Sequence, residues 1–299
     1  MKKIKLYVIP LVTGMALSSC GGGDNKNEDA DHAVDSTKTE TVENVNPVSE
    51  TFFQVPSPGE MLTFIKMIGG KNNKNTSFLN PVDNSKNYTD NKAKALNFGI
   101  YSCDLSYCSI FEIGADALKY FKTVKDMGDQ IGVSSAIKPE VMKRLESNVG
   151  NSDSLALITD DVYFQSFETL DNSGQGTTLA LVVAGGWIES LFIATNLSKY
   201  EANSPVVERL ADQKYTLENL VEFLKKHEAD ANVAAVKADF EGLLSEYSKI
   251  ESKDVSGSAK DEKGKKIMGG GKQLVMTEAN YKAIVDKIKS IRNSYTLTK

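Results

Sequence analysis

The chain has 299 residues, 40% of them hydrophobic, and a formal net charge of −5 at pH 7 from 35 basic and 40 acidic side chains. An acidic balance excludes the basic footprint that nucleic-acid binding rests on, so no nucleic-acid partner is expected. Two histidines and three cysteines leave no obvious ligands for a zinc site and no disulfide framework, so neither a metal nor a cofactor is expected.

Taken in chain order, Lys2, Lys3 and Lys5 precede an apolar run from Leu6 to Leu17, broken by Pro10 and Gly14 and followed by Ser18, Ser19 and Cys20. Charge, a short apolar run and small residues form the layout of a secretory signal. The run is too short to span a bilayer, which needs about 20 residues. Leu17-Ser18-Ser19-Cys20 resembles the bacterial lipobox. That resemblance implies cleavage after residue 19, a diacylglyceryl group on the Cys20 sulfur and acylation, as by palmitate, of the new amino group. Two or more acyl chains give stable anchoring where one does not. The competing reading is an ordinary signal peptide whose cysteine is coincidental. Removal of residues 1–19 leaves 32 basic and 40 acidic residues, a net charge of −8, so the lipid and not the protein's charge would hold the membrane.

Residues 20–51 read as a tether. Gly21 to Asn46 carries little to bury and cannot offset its ordering entropy, so disorder is expected. Asp24, Glu28, Asp29 and Asp31 just after the cysteine resemble the acidic signal that sends Bacteroidota lipoproteins to the cell surface. Asp35-Ser36-Thr37 resembles the short O-glycosylation motif of that phylum.

From residue 52 to 299 the pattern is helical. Ser57-Pro58-Gly59-Glu60 is a capping box with proline at the first helical position. It opens a helix that Gly69-Gly70 stops. A polar loop over residues 71–91 leads to one long helix from Asn91 to about Gly132, with a kink expected at Gly99 or Gly114. Pro139 opens a short helix, and Asn151 or Ser152 caps the next. After a turn at Gly174-Gln175-Gly176, the run TTLALVVAGGWIESLFIATNL is apolar all round, which marks either a central helix or a membrane span. Its length and Glu189 favour the central helix. Ser204-Pro205 starts another helix, Thr216 caps a further one, and a third is expected from Ala231 to Ser252 with a buried stripe of Val233, Val236, Phe240, Leu243, Leu244, Tyr247 and Ile250. Residues 253–272 read as a solvated, mobile loop, and Thr277 caps the last helix. Strand signals are nearly absent. The expected fold is all-α, an antiparallel multi-helix bundle.

The chemistry is sparse. His32 falls in the tether and His227 ends a helix, which leaves a Ser-His-Asp device without support. Gly269-Gly270-Gly271-Lys272 lacks both the first glycine and the Ser or Thr of a P-loop. Cys103 and Cys108 stand five apart on a helix, about 140° around it, and read as small buried residues. Two stretches are unusual. In GIYSCDLSYCSIF, Asp104 is an acid in an apolar helix, costly to bury unless paired. In AGGWIES, Trp187 and Glu189 follow two glycines. The sharp reading is a ligand pocket of Asp104, Tyr107, Trp187 and Glu189, or an acid-pair hydrolase using Asp104 and Glu189. The bland reading is a structural acid and tight helix packing. No catalytic residue is assigned.

The stretches PSPGE, NPVDNSKNYTDNKAKALNFGIYSCDLSY, NSDSL, GGWIES with FIAT after it, and ADQKYTLENL resemble a family of helical Bacteroidota lipoproteins. The resemblance covers most of residues 52–299. It implies a helical body and an anchored location, and it carries no activity and no catalytic residues. In that family small residues usually stand at the positions of Cys103 and Cys108, which implies packing and not thiol chemistry. The expected protein is therefore a lipid-anchored lipoprotein of the cell envelope, at the outer membrane, with the body on either the periplasmic or the surface side. Its helical domain would bind or scaffold an envelope protein or glycan partner without catalysis.

Overall fold

The computed structural model describes residues 57–70, 74–260 and 266–296. Cys20, the leader and the 20–51 tether lie outside them. Nine α-helices and one two-stranded ribbon make up the described residues, an all-α multi-helix fold.

Helix α1 (Pro58–Ile65) begins where the capping box places it, with the Ser57 side chain accepting from the Glu60 N–H at 3.3 Å, and continues as a π-turn through Gly70. A short 3₁₀ turn, Val82–Asn87, lies in the loop that follows. The expected long helix is in fact two, α2 (Asn91–Ile110) and α3 (Gly114–Ile131), broken and not kinked. The break is a Schellman motif: Ile113 N–H bonds the Cys108 carbonyl at 2.8 Å, Glu112 N–H bonds Ser109, and Glu112 takes φ 63°. Glycine usually fills that left-handed position, so a glutamate there gives no stop signal. Gly132 and Gly174 end α3 and α5 in the same way, at φ 88° and 71°. With only three residues between them, α2 and α3 fold back on each other.

Helices α4 (Pro139–Ser147) and α5 (Ser152–Asn172, capped by Asn151) follow as expected. Helix α6 (Gly176–Leu197) is the central one: every residue from Leu179 to Thr195 is buried. It meets α1, α2, α5, α7, α8 and α9, and its contact with α2 is the most extensive between any two described helices. Small residues make that contact possible. A Cβ on Gly99 would collide with the Val182 carbonyl, and one on Gly185 with the Leu96 carbonyl. Gly99 is thus a point of close approach and not a kink.

Helix α7 (Pro205–Lys225) starts from the Ser204 cap and runs uninterrupted through Thr216, which caps nothing. The stripe Leu210, Leu217, Leu220 and Leu224 continues past it, and no glycine or proline stops the turn. Helix α8 (Ala231–Tyr247) ends short of the expected Ser252. The reason is the second correction to the expected loop: β1 (Glu251–Lys260) pairs antiparallel with β2 (Lys266–Val275), Glu251 opposite Val275 and Lys260 opposite Lys266. Leu274 and Met276 bury the base of this ribbon, and Gln273 donates to Glu208 of α7 at 3.0 Å. Helix α9 (Glu278–Thr296), with Thr277 accepting from the Asn280 N–H, closes onto α6 and α8.

Candidate functional site

Every side chain of α2 from Ala95 to Ile110 is buried. Polar groups on such a helix must find partners inside the protein. The serines do so locally: Ser102, Ser106 and Ser109 each donate to the carbonyl four residues back. Asn97 and Asp104 face outward from α2 to other elements, and what meets them is the loop of residues 74–90 on one side and α9 on the other.

Asn80 is the loop's anchor and is wholly buried. Its N–H donates to Asp104 Oδ2 at 3.2 Å, and its Nδ2 donates to Asn97 Oδ1 at 3.0 Å and to the Tyr88 hydroxyl at 3.1 Å. Its carbonyl accepts from Tyr120 of α3 at 3.1 Å. Tyr88 and Asn97 continue the network into α9, donating to the Thr296 and Tyr295 carbonyls at 3.0 Å each. Tyr101 donates to the Pro81 carbonyl and Tyr107 to that of Asn75, so α2 holds the loop at its start and its middle.

Glu189 of α6 meets Arg292 of α9. The guanidinium donates through Nε to Oε2 at 2.8 Å and through Nη2 to Oε1 at 3.0 Å, a two-point fork. Arg292 also lies over the Phe192 ring, 4.4 Å from its centroid, and reaches the Phe78 carbonyl at 3.4 Å. Glu189 is 0% exposed and Arg292 7%. Burial works against the charge on Arg292, and the Glu189 carboxylate more than restores it, so the guanidinium stays ionised. Asp104 is also 0% exposed. Burial, then the nearby Glu189 charge, push its carboxyl well above the usual carboxylate range, against the opposing pull of Arg292. Burial likewise raises the thiols of Cys103 and Cys108, which are free, and leaves neither as a ready nucleophile.

Of the four candidate side chains, Asp104 and Glu189 come together. Trp187 does not join them. Two residues apart on a helix is roughly 200° of rotation, so Trp187 turns to α7 and α8, donating to Gln213 at 3.3 Å and stacking beside Phe240 at 5.6 Å. Tyr107 packs against Phe111 and Phe78, with centroids at 4.6 and 5.5 Å. All four are buried. A surface groove of about 700 Å³ is lined by Tyr200, Tyr281, Val285, Lys282 and Lys289. Another, of about 350 Å³, is lined by Thr63, Lys66, Leu157 and Asp160. Neither touches the candidates. A glycosidase needs its two carboxyls set around a sugar, at about 5 Å or more, whereas these two are each 0% exposed. His227 sits beside Phe223, ring centroids 5.3 Å apart. Among the described residues no three His, Cys, Asp or Glu side chains converge as a metal-ligand set.

The sequence reading misses Arg292, Asn80, Asn97 and Tyr88. Arg292 follows Ile288 by one helical turn, inside the buried stripe of α9, and a cation on such a stripe signals a buried partner. Asn80, in an irregular loop, has no periodic signal. No protein-family model, no curated protein and no solved structure matches the chain.

Proposed function

We propose that this chain is a lipid-anchored lipoprotein of the bacterial cell envelope whose helical body is a non-catalytic binding or scaffold domain. The observation that carries the reading is the leader, with Lys2, Lys3 and Lys5, an apolar run and Leu17-Ser18-Ser19-Cys20 in order. The resemblance of ALNFGIYSCDLSY and GGWIES to helical Bacteroidota lipoproteins supports it. The acids following Cys20 favour the outer membrane, with the body facing outwards. The burial of Asp104 and Glu189, with Glu189 held by Arg292 and Asp104 by the Asn80 N–H, supports a structural role for the acid pair over the pocket and hydrolase readings.

Expression in a lipoprotein-processing host with a clickable palmitate analogue tests the anchor. Label should enter the wild-type chain and vanish in Cys20→Ala, which should also leave the detergent phase on phase partition. An unmodified first residue by mass spectrometry, or release from membranes in plain buffer, would defeat it. Protease shaving of intact cells tests the facing: degradation without lysis is expected. Cross-linking in whole cells should recover a stoichiometric envelope partner through the helical body.

A further inference from the structure

The buried centre contains three ionisable groups, Asp104 on α2, Glu189 on α6 and Arg292 on α9. Two carboxylates against one guanidinium would leave one uncompensated negative charge where no water reaches, an arrangement proteins avoid by neutralising a group. The two-point fork from Arg292 marks Glu189 as the ionised acid. Asp104 differs on its two oxygens. Oδ2 accepts from the Asn80 N–H at 3.2 Å, while Oδ1, wholly buried, receives no donor. Asp104 and Glu189 lie within hydrogen-bonding reach of each other, and with Oδ2 taken by the Asn80 N–H the oxygen left without a donor is the one free to carry a carboxylic O–H.

We infer that the folded core binds one structural proton, carried on Asp104 and donated from Oδ1 to the Glu189 carboxylate. The cluster is then neutral, and one carboxyl joins the 74–90 loop, α2, α6 and, through Arg292, α9. The groups that face Asp104 are Glu189, Arg292, Tyr88 in the loop, Tyr101, Cys103 and Cys108 on α2, and Tyr120 on α3. The tyrosines and cysteines are all raised and neutral near pH 7, so only Glu189 and Arg292 bring charge. Burial and Glu189 favour the proton, and Arg292 and the Asn80 N–H oppose it without winning. This inference does not rest on the lipid anchor.

The sign follows from linkage. The folded-state pKa of Asp104 lies above its unfolded value of about 3.9. Its contribution to stability is therefore complete below about pH 4 and is lost as pH rises through the folded-state pKa. Over that window the unfolding constant should rise about tenfold per pH unit.

Asp104→Asn is the isostere of the protonated acid: its amide donates to Glu189, its carbonyl accepts from Asn80, and it cannot ionise. Denaturant unfolding of the full-length wild-type and variant chains between about pH 5 and pH 8 tests the inference. Asp160, raised to about 6 by burial, and His227, lowered by burial, titrate in both proteins and cancel in the ratio. The ratio of wild-type to variant unfolding constants should climb about tenfold per unit until the folded-state pKa is reached. A ratio flat with pH overturns the inference. Should the variant not fold, infrared spectra of wild-type protein with carbon-13 aspartate decide the matter. A shifted carbonyl band of a protonated carboxyl at neutral pH supports it. Absence of that band, or its appearance only with labelled glutamate, overturns it.

Discussion

Helices α2 and α6 meet backbone to backbone, whereas α7 and α8 meet side chain to side chain. In the first pair, Gly99 and Gly185 remove the atoms that would hold the helices apart, and the residues on both helices are buried almost without a break. Position is then set by what fits between two main chains and by polar bonds that reach out to the 74–90 loop and to α9. In the second pair, Leu210, Leu217, Leu220 and Leu224 of α7 and Val233, Val236, Phe240 and Leu243 of α8 are buried on two contacting amphipathic helices whose other faces meet water. Stability there comes from generic apolar area, at about 25 cal/mol per Å², and the fit tolerates adjustment. The contrast concerns what one added or removed atom does in each place.

The largest effect should come from Glu189→Ala. It removes both acceptors of the Arg292 fork and leaves only the Asp104 carboxyl near that buried charge, and breaking a buried pair by removing one partner costs about 3–5 kcal/mol. Lys237→Ala on α8 removes a cation that reaches Glu241 at 2.7 Å and Glu228 at 3.3 Å at the surface, and such exposed, solvent-screened pairs contribute little, so a much smaller loss is expected. Denaturant midpoints of the two variants, at equal slope, measure the gap. Equal losses would mean that Glu189 is no more than a packed side chain, and the contrast would fail.

Next is Gly185→Ala, which drives a methyl group into the Leu96 carbonyl. Neither main chain can step aside without moving a whole helix, so a loss of about 1–3 kcal/mol is expected, as for overpacked cores. A smaller fall in the thermal midpoint than that of a surface Gly→Ala control would show that α2 and α6 part easily.

These two sites were not equally legible. An all-round apolar run with one glutamate announces α6, its centrality and its buried acid from composition alone, and Asp104 is as conspicuous on α2. Periodicity also places α1, α4, α5 and α9, because capping residues and buried stripes are local signals. What escapes is non-local. Arg292 lies 103 residues from Glu189, and Asn80 is one asparagine among many until the fold encloses it. Glu112 in a left-handed turn hides the end of α2, since the left-handed position itself is not a glycine. The ribbon of β1 and β2 escapes for another reason. Its pairing is backbone to backbone, with Gly257 opposite Gly269, so no alternating apolar face betrays it.

Ser204→Ala probes the ordinary end of the scale. The Ser204 hydroxyl accepts from the Val207 N–H at 3.4 Å and caps α7. Loss of such a cap typically costs about 1 kcal/mol. The effect should be confined to the α7 N-terminus, read as faster amide exchange there with little change in α2. Equal acceleration in α2 would show that the two helix pairs unfold as one block.

The smallest expected change carries the opposite sign. Gly242 sits in the interior of α8, and a Cβ there would meet only the far end of Lys287, Nζ at 3.1 Å and Cε at 3.2 Å. That side chain can swing away, unlike the Leu96 carbonyl facing Gly185. Glycine inside a helix is worse than alanine by about 0.5–1 kcal/mol because it has more backbone freedom to lose. Gly242→Ala should therefore stabilise the protein by about that amount, while the same substitution at Gly185 destabilises it. The pair is a test with internal control, since propensity favours alanine equally at both sites and only the neighbour differs. If Gly242→Ala lowers the unfolding midpoint, α8 is held to α9 as tightly as α6 is to α2, and the distinction between the two kinds of contact is lost.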